Sequence, residues 1–188
     1  MDPRIQDARS RQISEEMLHY HCPRYAELPD IPLYRDQVID SLNRYLAPIF
    51  APAHEPVTAA MINNYVKLKV IAPPVKKRYD REQLARLYFV CLFKQVMSIS
   101  DIRALMAIQT RTYPFPEAYD YFCVELEKAL QATFGSRDFS APSSAHRITP
   151  ESELVRSTAI CLANRVFAAK FLALDACLQL DPGGQLAE

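Results

Sequence analysis

Glycine is scarce in this chain: 188 residues hold three, Gly135, Gly183 and Gly184. None falls in a GxGxxG or GxxxxGK[ST] arrangement, so phosphate cradles built on glycine backbone are excluded. Net charge is absent as well, with 22 basic and 22 acidic residues. The five cysteines are an odd number without CxxC spacing, which suits a reducing cytosol and buried thiols. No uncharged apolar run approaches the ~18 residues that a membrane span needs. The opening MDPRIQDARSRQ lacks the apolar stretch of a signal peptide, so a cytoplasmic protein off the membrane is expected.

Catalytic constellations are missing too. His19, His21 and Cys22 form an HxHC cluster, but a tetrahedral metal site needs a fourth ligand and wider spacing, so the cluster reads as a helix end before Pro23. His54-Glu55 and His146 have no third partner, and Cys161 and Cys177 fit no ligand spacing. Cys91 reads as packing. Neither an enzyme, a cofactor nor a metal is expected.

What the chain does have is a strongly basic middle. Val57 to Tyr79 reads VTAAMINNYVKLKVIAPPVKKRY, a short helix, a Pro-Pro break and a basic run. Thr58 is placed to cap the helix. Ile62, Tyr65 and Val66 share one face, whereas Ala60, Asn63, Asn64 and Lys67 share the other. That second face is small, amide-rich and basic, without the mixed signs of an ordinary solvated surface. From Val57 to Lys94 the cations are Lys67, Lys69, Lys76, Lys77, Arg78, Arg81, Arg86 and Lys94, against only Asp80 and Glu82. A net +6 in a neutral chain points to a polyanion.

Helical periodicity organises the remainder. An N-terminal helix is expected over residues 3–20, followed by an extended linker carrying Pro23, Pro29 and Pro32. Val38, Ile39, Leu42, Tyr45 and Leu46 predict an amphipathic helix, and Pro48, Pro52 and Pro56 a loop after it. Leu84, Leu87, Tyr88, Cys91, Leu92 and Val96 make a wide apolar stripe over residues 79–97. Ser98 and Asp101 form a capping box for a short helix. Another helix spans residues 116–134 and ends at Gly135. A polar loop then leads to Thr149-Pro150, which caps a helix running to Leu180. Apolar residues nearly encircle that last helix, so burial on every side, partly by a partner chain, is expected.

Two resemblances follow from these residues. VTAAMINNYVKLKVIAPP is similar to the second helix of MerR-type winged helix-turn-helix regulators, and YDREQLARLYFVCLFKQVMSISDIRALM to that family's next helix pair. Tyr65 matches a tyrosine of the pattern, Leu84 and Leu87 its core leucines, and Ser98, Ile99 and Ile102 its following turn. The chain departs from the pattern where Asn63-Asn64 replaces an Arg-Tyr pair and Lys69 the helix-ending glycine. A glycine-containing wing hairpin is missing, which implies a shortened wing. LYRDQV (33–38), TAAMINNYVK (58–67), PPVKKRY (73–79) and FKQVMSISDI (93–102) resemble more closely the ordered motifs of an uncharacterised bacterial family, a domain of unknown function.

The resemblance implies a mainly α fold: an N-terminal arm over residues 1–30, a MerR-like winged helix-turn-helix over 31–110, and C-terminal helices over 111–188 for dimerisation or effector binding. It implies a transcriptional regulator on double-stranded DNA, acting as a homodimer. Asn63 and Asn64 would face the major groove, with Asn64 the favoured base reader. Lys67, Lys69, Lys76, Lys77, Arg78 and the Tyr65 hydroxyl would meet phosphates. The alternative is a protein–protein interaction module that keeps the fold without DNA.

Overall fold

The structure is a computed structural model that describes residues 8–50, 55–145 and 147–179, with side chains described as far as Leu174. The expectations placed on His54, His146, Leu180 and the Cys177 side chain lie outside these residues. Seven α-helices and one two-stranded sheet are present among the described residues. They are α1 (Ala8–Leu18), β1 (Leu33–Tyr34), α2 (Arg35–Leu46), α3 (Ala59–Lys67), β2 (Arg78–Tyr79), α4 (Arg81–Phe93), α5 (Ile99–Thr112), α6 (Phe115–Gln131) and α7 (Pro150–Gln179). β1 and β2 are antiparallel, with Leu33 opposite Tyr79 and Tyr34 opposite Arg78.

Local signals set the helix starts. Thr58 accepts a hydrogen bond from the Met61 N–H at 3.3 Å. Asp80 and Gln83 form a reciprocal capping box, each side chain accepting from the other's backbone N–H, at 2.8 and 2.9 Å. Ser98 accepts from the Asp101 N–H at 3.2 Å, and Thr149 from the Ser152 N–H at 3.2 Å. Each cap satisfies a first-turn donor that has no partner within its own helix.

The helix buried on all sides is α4. From Gln83 to Phe93 only Arg86 keeps appreciable exposure. Tyr88 and Phe93 are among the largest fully buried side chains, and Phe89, Phe93 and Phe122 pack ring against ring at 4.4–5.0 Å. One continuous core joins residues from Met17 to Val166. The N-terminal, central and C-terminal regions therefore share a single apolar interior.

The last helix departs from expectation. α7 buries one face, with Val155, Ala159, Leu162, Ala163 and Val166 inward. Glu153, Ser157, Cys161, Asn164, Arg165 and Ala168 face outward. Much of its apolar character comes from alanine, which fits equally at a close helix contact or on the surface. Among its described side chains only Leu154 and Leu172 expose large apolar area outward, and Leu172 is 70% exposed. Pro150–Leu174 is apolar and long enough to cross a membrane by length and composition, yet its inward face belongs to the shared core.

Gly135 also plays another part than expected. α6 passes into a π-helical turn over Ala132–Ser136, and the residue with left-handed backbone is Arg137, at φ 58°. Gly135 has no positive φ. A Cβ there would sit 3.1 Å from the Leu18 Cδ2 of α1, so the glycine serves a close helix approach.

Candidate nucleic-acid interface

The basic middle of the chain folds into α3 and a tight hairpin that follows it. On α3, Ile62 and Tyr65 are buried while Asn63, Asn64 and Lys67 are exposed. Tyr65 is 4% exposed, and burial pushes its phenol above the ordinary range. It is a core residue, so its expected phosphate contact is withdrawn. α3 ends where Val70 N–H bonds to the Tyr65 carbonyl and Lys69 N–H to the Val66 carbonyl, both at 3.0 Å. These are the paired bonds of a Schellman motif, whose C′ residue must be left-handed. Lys69 holds that conformation at φ 56°. Glycine is the usual occupant, because a Cβ there costs about 1–2 kcal/mol.

A second left-handed site lies seven residues further on, at the hairpin tip. Val75 and Arg78 exchange backbone hydrogen bonds at 2.9 and 3.0 Å. Lys76 and Lys77, between them, have φ of 49° and 65°. Two consecutive positive φ values in a two-residue loop define a type I′ turn, which normally takes Asn-Gly. No glycine-containing hairpin is present in this segment; a short one forms without glycine, with lysines in the left-handed positions. Arg78, paired on one side with Tyr34 and on the other with Val75, donates to the Tyr34 hydroxyl at 2.9 Å. Its guanidinium lies 4.7 Å from the centre of the Tyr34 ring, a cation–π contact that fixes a charge on a β surface.

An open groove of about 510 Å³ brings the two parts together. Asn63 and Val66 of α3, Tyr34, Arg35 and Asp36 at the start of α2, and Pro74, Lys77 and Tyr79 of the hairpin line it. Asn63, rather than Asn64, is therefore the α3 amide beside the hairpin. The cations of this segment divide sharply. Arg81 lies 3.8 Å from Asp30, and Arg86 donates to Glu82 at 2.9 Å while covering the Phe115 ring. Lys67, Lys69, Lys76 and Lys77 make no ion pair among the described residues. Most of the unpaired charge thus lies on α3 and the hairpin, with Lys94 at the end of α4 also without an ion pair among the described residues, while Arg81 and Arg86 are neutralised.

Two positioning residues escaped the sequence reading. Asn43 of α2 accepts from the Val57 N–H at 2.7 Å and donates to the Val57 carbonyl at 3.3 Å. This clamps the chain one residue before the α3 cap. Gln83 of α4, 7% exposed, donates to the carbonyls of Ala72 and Pro73 at 2.9 and 3.1 Å, which fixes the lead into the hairpin. Both are lone amides in polar positions, and no local pattern marks a partner eleven or fourteen residues away.

The HxHC cluster comes apart in three dimensions. His19 bonds the Glu15 carbonyl, His21 reaches Glu27 and Glu127, and Cys22 is buried beside the Tyr88 hydroxyl. Cys91 is buried and its thiol pushed up to about 12 by desolvation, so it is inert as a nucleophile near neutrality.

α3, the hairpin, the groove and both positioning amides lie within residues 23–122, which match the model of a family described as "Domain of unknown function (DUF1836)". The chain belongs to that family. The DUF1836 match takes in the Pro-rich linker, α2, α3, the hairpin, α4, α5 and the start of α6, so the groove and both positioning amides fall inside it. No curated protein and no solved structure matches the chain.

Proposed function

We propose that this chain binds double-stranded DNA as a transcriptional regulator of the MerR-like winged helix-turn-helix kind. The observation that carries the reading is the use of lysine at three left-handed positions, Lys69, Lys76 and Lys77. Strain at a surface position persists where it serves something other than stability. Here each strained residue is a solvent-exposed cation on the same segment as two exposed amides. The order β1, α2, α3, hairpin, α4 supports a winged helix, with the hairpin as a short wing. In this reading α3 enters the major groove, Asn63 or Asn64 pairs with adenine, and Lys67, Lys69, Lys76, Lys77 and Arg78 hold phosphates. Two copies acting on two half-sites would place the protein as a homodimer.

A second reading rests on the exposed apolar side chains beside the hairpin, Ile31 at 65%, Tyr34 at 50% and Val75 at 73%. Such a cluster favours an interaction module that grips a protein. Selection from random duplexes at one fixed salt concentration separates the two. A DNA reader enriches a sequence. Asn63→Ala and Asn64→Ala then identify the base reader, since the responsible change relaxes preference at one base pair and costs about 1–3 kcal/mol. Absence of enrichment, together with no duplex binding at low salt, favours the module.

A further inference from the structure

Away from the basic face, a cavity of about 450 Å³ opens between α5, α6 and the start of α7. We propose that it binds a small organic cation, an amine or quaternary ammonium group carried on an apolar body. The volume lies within the ~300–1,000 Å³ of ordinary small-molecule sites. On α6, Glu117, Asp120, Tyr121 and Val124 fall at i, i+3, i+4 and i+7 and so share the face that lines the cavity. Tyr113 and Gln109 of α5 line the opposite side.

The charge of this lining has one sign. Among the described residues, Glu117 and Asp120 are its only charged members, and no described lysine or arginine lines the cavity. Glu117 makes no hydrogen bond or ion pair among the described residues, and Asp120 spends one oxygen on the Tyr25 N–H at 2.7 Å. Residues three apart on a helix have Cβ atoms about 5–6 Å from each other, so the two carboxylates can reach a common point. A single cation placed between them relieves their repulsion, whereas an anion would add to it.

Gln109 supplies a polar contact at the same place. It is 5% exposed and its amide N–H donates to the Glu151 carbonyl at 2.8 Å. No described group donates to its Oε1, and that oxygen is not among the sealed, unpartnered polar atoms, so it stays accessible to an ammonium N–H. Tyr113 and Tyr121 are half-buried and offer ring surface of the kind that attracts cations. Tyr121 is held in place by its hydroxyl, which donates to the Ser152 carbonyl and pairs with the Ser143 hydroxyl, both at 3.0 Å. A metal ion is the poorer occupant, since no group of three His, Cys, Asp or Glu among the described residues could hold one.

The test uses the full chain without DNA, so its outcome is separate from the proposed function. Benzyltrimethylammonium, benzyl alcohol and benzenesulfonate share a ring and differ in charge. Saturation-transfer NMR followed by titration should show binding of the ammonium alone. Glu117→Gln and Asp120→Asn preserve shape and hydrogen bonding, and each should weaken it at least fivefold, with the double variant abolishing it. Val124→Trp, checked for helicity, should block the cavity physically. Equal binding of benzenesulfonate, ammonium binding that survives the double carboxamide variant, or no ammonium binding at millimolar concentration would each overturn the proposal.

Discussion

Replacing the hairpin tip Lys76-Lys77 by Asn-Gly should make the protein more stable and a weaker ligand for DNA. Both lysines hold positive φ, at about 1–2 kcal/mol each for an L-residue with a Cβ. Asn tolerates this conformation and Gly is indifferent to it. Glycine's greater freedom in the unfolded chain returns roughly 0.5–1 kcal/mol. The net gain is on the order of 1–2 kcal/mol, or roughly 4 °C in Tm for a chain of this size. The same change removes two cations from the proposed phosphate contacts, so the dependence of log K on log salt should flatten by about 1.8. Thermal melts and salt-titrated duplex binding read the two effects. Lys76→Gln with Lys77→Gln supplies the control, because it removes charge but keeps the strain: the slope should fall without the rise in Tm. An unchanged Tm in the Asn-Gly variant refutes the strain argument. An unchanged slope in both refutes phosphate contact at the tip.

Asn43→Ala removes both bonds to Val57 and leaves that backbone unpaired, so denaturant melts should show a loss of about 1–3 kcal/mol; a loss below 0.5 would mean water replaces the clamp. Stability should decline as pH rises above about 9. The Cys91 thiol, pushed up to about 12 in the fold by burial, and the buried phenols of Tyr88 and Tyr119, also raised by burial, stay protonated after their unfolded counterparts ionise. The unfolded state then binds fewer protons, and stability falls until the folded groups titrate. Urea melts at pH 8, 9.5 and 11 with one constant midpoint contradict this. For the proposed homodimer, light scattering at micromolar concentration should give twice the chain mass, and a clean monomer rules it out.

Much of the helical frame was legible because its signals are local. Thr58, Ser98 and Thr149 each announce a helix start through a hydroxyl a few residues from its donor. The cation excess was legible too, but its distribution was not. Whether Arg86 is free or paired depends on how its side chain lies across Glu82 and Phe115, which composition does not contain. The hairpin was hidden for a different reason. Turn signals in sequence are residues that relieve a left-handed backbone, and here lysines occupy it. Tyr65 lies on the apolar face of α3, and only the packing of the whole core decides that its hydroxyl stays inside. α4 is buried on more sides than its apolar stripe and α7 on one face within the chain, because an apolar circumference measures what a helix can bury, while its neighbours determine what it does bury.

The Asn43 clamp has a consequence for how this chain can be altered. The backbone leaving α2 is tied at Phe50, whose carbonyl accepts from Lys170 of α7 at 3.5 Å, and it is tied again at Val57 by Asn43. The start of α3 is therefore held by α2 itself, at Val57. Lengthening a surface connection costs only about 0.6 kcal/mol for each doubling. A peptide epitope inserted between Glu55 and Pro56, both exposed, should leave α3 and the hairpin where they are, which gives a reporter position just ahead of α3.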